Sequence, residues 1–182
     1  MLKTLFKIVR QGIASEPRPD LGADFLLPAH RLQNAILEVL GRALTIREVD
    51  AGSCNACELE IQATNNVYYN LEGLGIKFVA SPRHADMLLV TGPVSRNMAL
   101  ALERTYQAMP EPKIVVAVGD CAINGGIFGE NYATCGGVGK ILPVDHFIPG
   151  CPPPPYDVLK GILTAVNKRY GQPAAAPGKP GR

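Results

Sequence analysis

The chain has 182 residues, of which 47% are apolar and 19% are charged, a composition typical of one folded globular domain with extensions. Its formal net charge is only +2, which argues against a nucleic-acid-binding surface, so no nucleic-acid partner is expected. No apolar run is long enough to cross a bilayer and the N-terminus carries no export signal, so the sequence predicts a cytoplasmic protein without a transmembrane segment.

Residues 1–43 are predicted to form an N-terminal extension. Apolar side chains recur at helical spacing through residues 1–14 and basic ones take the other side, which predicts a short basic amphipathic helix. Such a helix lies on an anionic membrane, docks on a partner or packs on its own domain, and amphipathicity does not separate these alternatives. Residues 15–28 are rich in turn-forming residues, and a second helical pattern runs over residues 30–43.

From residue 44 the pattern changes to short strands that alternate with helices. Strands are predicted at residues 44–50, 76–80, 87–92, 113–119 and in the run DHFIPG, and helices at residues 55–72, 97–108 and 155–168. Alternation of this kind indicates an α/β domain, an open parallel sheet flanked by helices, over residues 44–168. The tail at residues 169–182 has too few apolar residues to build a core and is predicted to be flexible.

Four of the five cysteines follow predicted strands. In an open parallel sheet, ligands bind beyond the carboxyl ends of the strands, because the loops that leave those ends share one edge. Cys54 and Cys57 follow the first strand as a C-x-x-C pair, and Cys121 and Cys151 follow two later strands. Cys135 has no strand directly before it and is predicted to be the spare. Glycines flank the four and are expected to let the backbone approach a bulky group: Gly52, Gly119, Gly125, Gly126 and Gly150.

The thiols have three possible uses. Cytoplasmic thiols are kept reduced and five is an odd number, so a disulfide framework is not expected. Structural zinc sites usually draw their thiolates from two C-x-x-C pairs and this chain has one, whereas a [4Fe–4S] cluster suits ligands from separate loops. The pattern therefore favours the cluster over zinc. Buried, inert cysteines are the third alternative.

Four segments together carry a family resemblance: GSCNACELEI, GIKFVASPRHADMLLVTGPVSRNM, PKIVVAVGDCAINGGIF and VDHFIPGCPPPP. In order and spacing they resemble the small subunit of membrane-associated [NiFe] hydrogenases of the formate hydrogenlyase type (group 4), and its homologue in respiratory complex I, the 20 kDa (PSST-type) subunit. The resemblance covers residues 44–168.

The resemblance implies a flavodoxin-like domain with one [4Fe–4S] cluster, held by Cys54, Cys57, Cys121 and Cys151, next to the active site of a large subunit. The implied function is electron transfer within an oxidoreductase complex, so the chain would not be catalytic alone. The implied partners are a [NiFe]-hydrogenase-like large subunit, a ferredoxin-like iron–sulfur subunit and membrane subunits, which places the chain peripherally on the cytoplasmic side of the cell membrane.

Two alternative functions stay open. One is a complex I-like quinone oxidoreductase subunit of the 20 kDa type, in whose branch the first two ligands are adjacent cysteines. Here Asn55 and Ala56 separate them, which favours the hydrogenase branch. The other is a zinc-stabilised structural module without a redox role.

Other polar residues near the motifs have a functional and a structural interpretation. Glu58 directly follows the C-x-x-C pair and is a candidate proton relay, although an acid in a first helical turn also favours the helix dipole. Arg83 and His84 either contact the edge of the cluster or belong to a surface turn. No GxxxxGK[ST] motif is present, so nucleotide binding is not expected.

Overall fold

The computed structural model describes residues 41–170 together with Phe6 and Arg10, which are helical and exposed. The rest of the predicted first helix, the linker, and residues 30–40 of the second helix lie outside the described residues, as do residues 171–182 of the tail. Residues 41–43 are not helical, contrary to the prediction, and Gly41 has a φ of +61°.

Five parallel strands form one sheet. They are β1 (Leu44–Asp50), β2 (Ile76–Phe78), β3 (Met87–Thr91), β4 (Ile114–Val118) and β5 (His146–Ile148). Their order across the sheet is β2-β1-β3-β4-β5, the flavodoxin-like order. The predicted fold class is therefore confirmed, and each strand lies within the span that the sequence predicts.

Within residues 41–170, four α-helices accompany the sheet: α1 (Ala56–Ala63), α2 (Arg96–Ala108), α3 (Asp120–Asn124) and α4 (Pro155–Tyr170). The helix predicted over residues 55–72 is too long, because α1 ends at Ala63. A polar turn replaces its second half: Asn66 Oδ1 accepts hydrogen bonds from the backbone N–H groups of Tyr68 and Tyr69 at 2.8 and 3.0 Å, and Asn70 has a φ of +49°. Asparagine side chains that bond nearby backbone compete with the helix in this way.

The core lies on both faces of the sheet. On one face α1 and α4 pack against residues such as Ile46, Leu89 and Val116. On the other face α2 and the loops cover residues such as Leu88, Val90 and Val115. The central strands β3 and β4 are buried throughout, which is why they are continuous apolar runs in the sequence.

Helix α4 lies very close to strand β5 at Gly161. A Cβ atom added at this glycine would overlap the side chain of Ile148. The missing side chain therefore sets the distance between the last helix and the edge of the sheet.

The amino ends of the strands share one edge, which we call the amino edge. There the Asp86 carboxylate accepts hydrogen bonds from both terminal nitrogens of Arg42, and from the backbone N–H and hydroxyl of Thr45. The single hydroxyl proton of Thr45 is shared between Asp86 and the carbonyl of His84, whose oxygen lies 2.6 Å from Thr45 Oγ1. Arg83 and His84 form a 3₁₀ turn just before β3, so they belong to the amino edge and not to the cysteine loops, and the surface-turn interpretation is correct.

None of the helices within the described residues is long and apolar enough to span a membrane.

Candidate functional site

The opposite edge of the sheet, which we call the carboxyl edge, brings four cysteines together from three loops. Cys54 and Cys57 follow β1, Cys121 lies in α3 directly after β4, and Cys151 follows β5. A Cβ atom on Gly119 would lie 2.7 Å from Cys57 Sγ. Cys121 and Cys151 line one shallow pocket. The four cysteines that the sequence groups are thus neighbours in the structure, while their role as ligands stays a prediction.

The first loop is shaped by the carboxylate of Asp50. Its Oδ1 accepts hydrogen bonds from the backbone N–H groups of Gly52 and Ser53, both at 2.7 Å. Ser53 Oγ in turn accepts one from the N–H of Asn55 at 3.1 Å. Asn55 has a φ of +71° and directly precedes α1. These contacts turn the chain sharply after β1, so that Cys54 lies in the loop and Cys57 in the first turn of the helix.

The other two loops are tied to each other through Asp120. Its N–H donates to the carbonyl of Gly150, and Gly150 N–H donates to Asp120 Oδ1, both at 2.9 Å. This reciprocal pair fixes Cys121 relative to Cys151. Neither the role of Asp120 nor helix α3 was predicted from the sequence. The start of helix α3 has a local signal in the sequence, since an acid directly after a glycine often begins a helix. Nothing in the sequence indicates that Asp120 bonds Gly150, 30 residues away.

Glycines make room for the sulfurs at two positions. Gly119 has a φ of +87° and faces Cys57, while Gly126 has a φ of +55° and a Cβ there would lie 2.6 Å from Cys121 Sγ. Only glycine adopts such conformations readily and leaves this space. By contrast, Gly52 and Gly125 approach backbone or side chains other than the thiols, such as Ser95 and Gly129.

The thiols influence one another electrostatically. The pKa of Cys57 is raised to about 12, first by burial, then by the negative charge of Glu58, and further by those of the other three clustered cysteines. Burial and then the charges of Cys151 and Cys54 raise the pKa of Cys121 as well. These raised pKa values mean that the thiols ionise together only where a positive group balances their charge.

The spacing of the four thiols bears on the size of such a group. Among residues 41–170, no three His, Cys, Asp or Glu side chains surround a point where a single metal ion could contact all of them. Structural zinc needs four ligands about 2 Å from the ion. Four thiols that come from separate loops and are lined by glycines suit a wider iron–sulfur cluster.

Cys135 lies apart from the four. Its N–H donates to the carbonyl of Val94 at 2.7 Å, and its side chain packs against the core on the α2 face. It is not among the thiols that change the pKa of Cys57 or Cys121. Its position fits the prediction that it is the spare.

A second pocket, of about 470 Å³, lies beside α1 and includes Glu48, Asp50 and Glu58. Glu58 is only 8% exposed, and both of its carboxyl oxygens are buried without a hydrogen-bond partner. The pKa of Glu48 is raised to about 7, mainly by burial and then by the charges of Glu58 and Asp50. The burial of Glu58 was not predicted from the sequence, and its neighbours Leu59 and Glu60 are not buried.

Large apolar side chains are exposed around the cysteines. Ile127 is 92% exposed and lines the same pocket as Cys121 and Cys151, and Tyr132 in the same loop is 93% exposed. The loop itself is well tied, since Arg96 donates twice to the carbonyl of Asn131. Exposed apolar residues on an ordered loop indicate a protein interface.

Comparison with known proteins identifies the family. Residues 54–165 match the model of the NADH ubiquinone oxidoreductase 20 kDa subunit family. The probable membrane-bound hydrogenase subunit mbhJ of Pyrococcus furiosus is 43% identical over 141 residues, which are 76% of this chain and 84% of that protein. Formate hydrogenlyase subunit 7 of Escherichia coli is 45% identical over 136 residues, and this chain spans 53% of its length. An NADH-quinone oxidoreductase subunit of Desulfovibrio desulfuricans is 44% identical over 123 residues, which are 68% of this chain and 66% of that protein.

A solved structure agrees with these relatives. A chain of the archaeal membrane-bound sulfane sulfur reductase, described as a respiratory membrane complex, superimposes with a TM-score of 0.64 and 32% identity, over 81% of this chain and 78% of that one. The relatives are subunits of oxidoreductase complexes, and the family is one of iron–sulfur-containing subunits. The match over most of the described domain confirms the resemblance seen in the sequence. This chain is a member of the NADH ubiquinone oxidoreductase 20 kDa subunit family, which includes subunits of membrane-bound hydrogenases.

Proposed function

We propose that Cys54, Cys57, Cys121 and Cys151 hold one [4Fe–4S] cluster, with the cluster iron bound by the four thiolates. The observation that carries this proposal is the meeting of four thiols from three loops at the carboxyl edge, where Gly119 and Gly126 leave room for sulfur. When bound, such a cluster accepts and donates one electron at a time.

The chain's own residues hold the ligands in place and limit access of water. Asp50 shapes the loop of the first two cysteines, and Asp120 joins the loops of the other two. Cys57 packs against the core on the α1 and α4 face, so one ligand is shielded by the protein. Cys54 and Cys151 are exposed, and this leaves one side of the site open to a partner.

We infer that the chain is the electron-transfer small subunit of a membrane-associated [NiFe]-hydrogenase complex. The large subunit would cover the open side of the cysteine site, next to Ile127 and Tyr132, and a ferredoxin-like subunit would exchange the electrons. The assembly would include membrane subunits, with this chain peripheral on the cytoplasmic side. The names of the relatives, several of which belong to membrane complexes, and the exposed apolar loop support this assignment. The proton-relay role of Glu58 stays a prediction.

A second candidate is a complex I-like quinone oxidoreductase subunit. The name of the matching family and the similar identity of an NADH-quinone oxidoreductase relative favour it, whereas the C-x-x-C spacing favours the hydrogenase. Analysis of nickel in the co-purified large subunit separates the two. Nickel with hydrogen-dependent dye reduction supports the hydrogenase, and a nickel-free complex that reduces quinone refutes it.

The experiment on the cluster is anaerobic purification of the complex through a tag on this chain, followed by iron, sulfide and zinc analysis and EPR spectroscopy after reduction. About four irons and four sulfides per chain are expected from this subunit. Clusters of other subunits add to the total, so the same analysis on the separately purified full chain gives the count. Zinc without a reduced-state signal would refute the cluster and support the structural module.

Single changes to serine assign the ligands. Cys54→Ser, Cys57→Ser, Cys121→Ser and Cys151→Ser are each expected to lower the iron content or alter the EPR signal. Cys135→Ser is the matched control, because Cys135 is half-buried but lies apart, and it is expected to leave both unchanged. An unchanged signal in any of the four variants would remove that cysteine from the ligand set.

A further inference from the structure

The pocket beside α1 has an excess of negative charge. Three carboxyl groups line it, from Glu48, Asp50 and Glu58, against one guanidinium, from Arg47. With all four ionised the net charge of the lining is 1 − 3 = −2. Phe78 and Val79 add apolar side chains to the lining of the pocket. The pocket therefore combines acidic groups with a surface against which an aliphatic stem can pack.

Several polar atoms of this pocket are buried and unpaired. Both carboxyl oxygens of Glu58, one of Glu48 and Nε of Arg47 have no hydrogen-bond partner. The ion pairs between described residues are Arg42–Asp86, Lys113–Glu111 and Lys140–Glu130, and none of them reaches the pocket. A buried carboxyl group without a partner is costly, and the cost disappears when a donor or a cation binds it.

The geometry of the carboxyl groups favours an organic cation over a metal ion. Within residues 41–170, no three acidic, histidine or cysteine side chains are placed to bind one ion, and Asp50 Oδ1 already accepts two backbone N–H groups. A guanidinium is planar, carries five donors and can bond separated carboxylates, while its aliphatic stem packs on an apolar wall.

We propose that this pocket receives an arginine side chain of the large subunit, which bonds Glu58 and Glu48 and anchors its chain next to the cysteine site. The proposal rests on the proposed function, because it takes the large subunit as the partner that covers the carboxyl edge. The position of the pocket supports it: Glu58 directly follows Cys57, and Asn55, between the first two cysteines, lines the pocket as well. The raised pKa of Glu48, caused by burial and the nearby negative charges, is what a site for a positive group produces before that group binds.

The test measures how much large subunit co-purifies with the tagged chain at increasing salt concentration. The variants are Glu58→Gln, Glu48→Gln and the double change, which keep the shape of the side chains and remove their charge. The matched control is Glu72→Gln, an exposed glutamate that does not line the pocket. The double change is expected to lower the retained large subunit about tenfold, since removal of a charged pair from an interface has an effect of this size or greater, and the control is expected to retain it.

Iron analysis and EPR on the same samples separate the proposal from the proposed function. Glu48→Gln is the deciding variant if Glu58→Gln also loses iron, because Glu48 is six positions from Cys54 in the chain. A double variant that keeps its iron and still retains all of the large subunit overturns the pocket proposal and leaves the cluster proposal standing. A wild-type chain without iron refutes the cluster instead. The amount of large subunit that the glutamine variants retain then still tests whether the pocket binds it.

A reversal of charge identifies the source of the cation. Glu58→Arg is expected to prevent assembly, and changes that restore it are selected in the whole complex. Restoration by replacement of an arginine in the large subunit supports the proposal. Restoration that maps to residues 1–40 of this chain, which contain arginines of their own, overturns it in favour of an intramolecular contact.

Discussion

Buried acidic residues have hydrogen-bond partners at one edge of the sheet and lack them at the other. At the amino edge the carboxylate of Asp86 accepts four hydrogen bonds, from Arg42 and Thr45. At the carboxyl edge Glu58 is as deeply buried, yet neither of its oxygens has a partner. Both edges belong to the same parallel sheet and are reached by the same strands.

This difference between the edges suggests that the amino edge serves the stability of the fold and the carboxyl edge serves binding. At the amino edge the carboxylate of Asp86 finds all of its hydrogen-bond partners within the chain. These contacts contribute to the free energy of unfolding. The carboxyl edge has thiols with glycines that leave room for them, and buried carboxyl oxygens without a partner, which are costly unless something binds there. We therefore expect changes at the amino edge to alter stability alone, and changes at the carboxyl edge to alter cluster content.

The largest expected effect on stability comes from Asp86→Ala. Its removal leaves the backbone N–H of Thr45 without an acceptor and breaks the contact with the Arg42 guanidinium, so the free energy of unfolding should fall by about 3 kcal/mol in urea titration. Arg42→Ala is the control and should lower it by about 0.5 kcal/mol, because Arg42 is 59% exposed and its ion pair is screened. Iron per folded chain should not change. A parallel loss of iron would show that the two edges are coupled.

Asp120→Ala should lower both the free energy of unfolding and the EPR signal of the cluster. Loss of its carboxylate leaves Gly150 N–H without an acceptor and frees the Cys151 loop from the Cys121 loop. We expect the unfolding free energy to fall by about 2 kcal/mol and the EPR signal of the reduced cluster to weaken. Asp120→Asn retains an acceptor oxygen and should preserve most of the signal. Equal signals from the alanine variant and the wild type would mean that this tie does not position the ligands.

Two glycines with nearly the same φ angle allow the effect of the space beside the sulfur to be measured separately. Gly126 has a φ of +55° and Gly129 a φ of +56°, but only at Gly126 would a Cβ meet Cys121 Sγ. Each change to alanine should cost about 1 kcal/mol through the backbone alone. Gly126→Ala should in addition lower the iron content, whereas Gly129→Ala should not. The same iron content in both variants would refute the role of Gly126 as space for the thiol.

The smallest effect concerns the pH dependence of Glu48. Its pKa is raised from 4.5 to about 7 in the folded chain, so between these pH values the folded state binds more protons than the unfolded state. The free energy of unfolding should therefore fall as pH rises through this interval, by about 1 kcal/mol once partial exposure is allowed for. Urea titrations at several pH values should show that Glu48→Gln lacks this fall and that Glu72→Gln retains it.

The strands and the cysteine site follow from short-range signals and one topological rule. Strands β3 and β4 are apolar runs because both their faces are buried, and the carboxyl ends of parallel strands share an edge wherever the sheet is formed. Those two facts group Cys54, Cys57, Cys121 and Cys151 without knowledge of any contact between them.

The residues that the sequence analysis missed depend on contacts across the chain. Asp120 acts on Gly150, 30 positions away, and Glu58 is buried by elements that approach α1 only in the folded sheet. Helix α1 ends early, and in the turn that follows it the Asn66 side chain accepts hydrogen bonds from the backbone N–H groups of Tyr68 and Tyr69. In the sequence His84 is a possible contact of the cluster edge, but the register of β3 against β1 places it at the other edge of the sheet.

Gly161 links the packing of the core to the position of one cysteine. Helix α4 rests directly on Ile148 because this glycine has no side chain, and only three prolines, Pro152 to Pro154, separate Cys151 from the start of the helix. A larger residue at position 161 would move the helix outward and Cys151 with it. The rate at which an electron passes between two centres depends steeply on their separation. The speed of electron exchange at the proposed site would thus be tuned in part by a core residue that touches no sulfur.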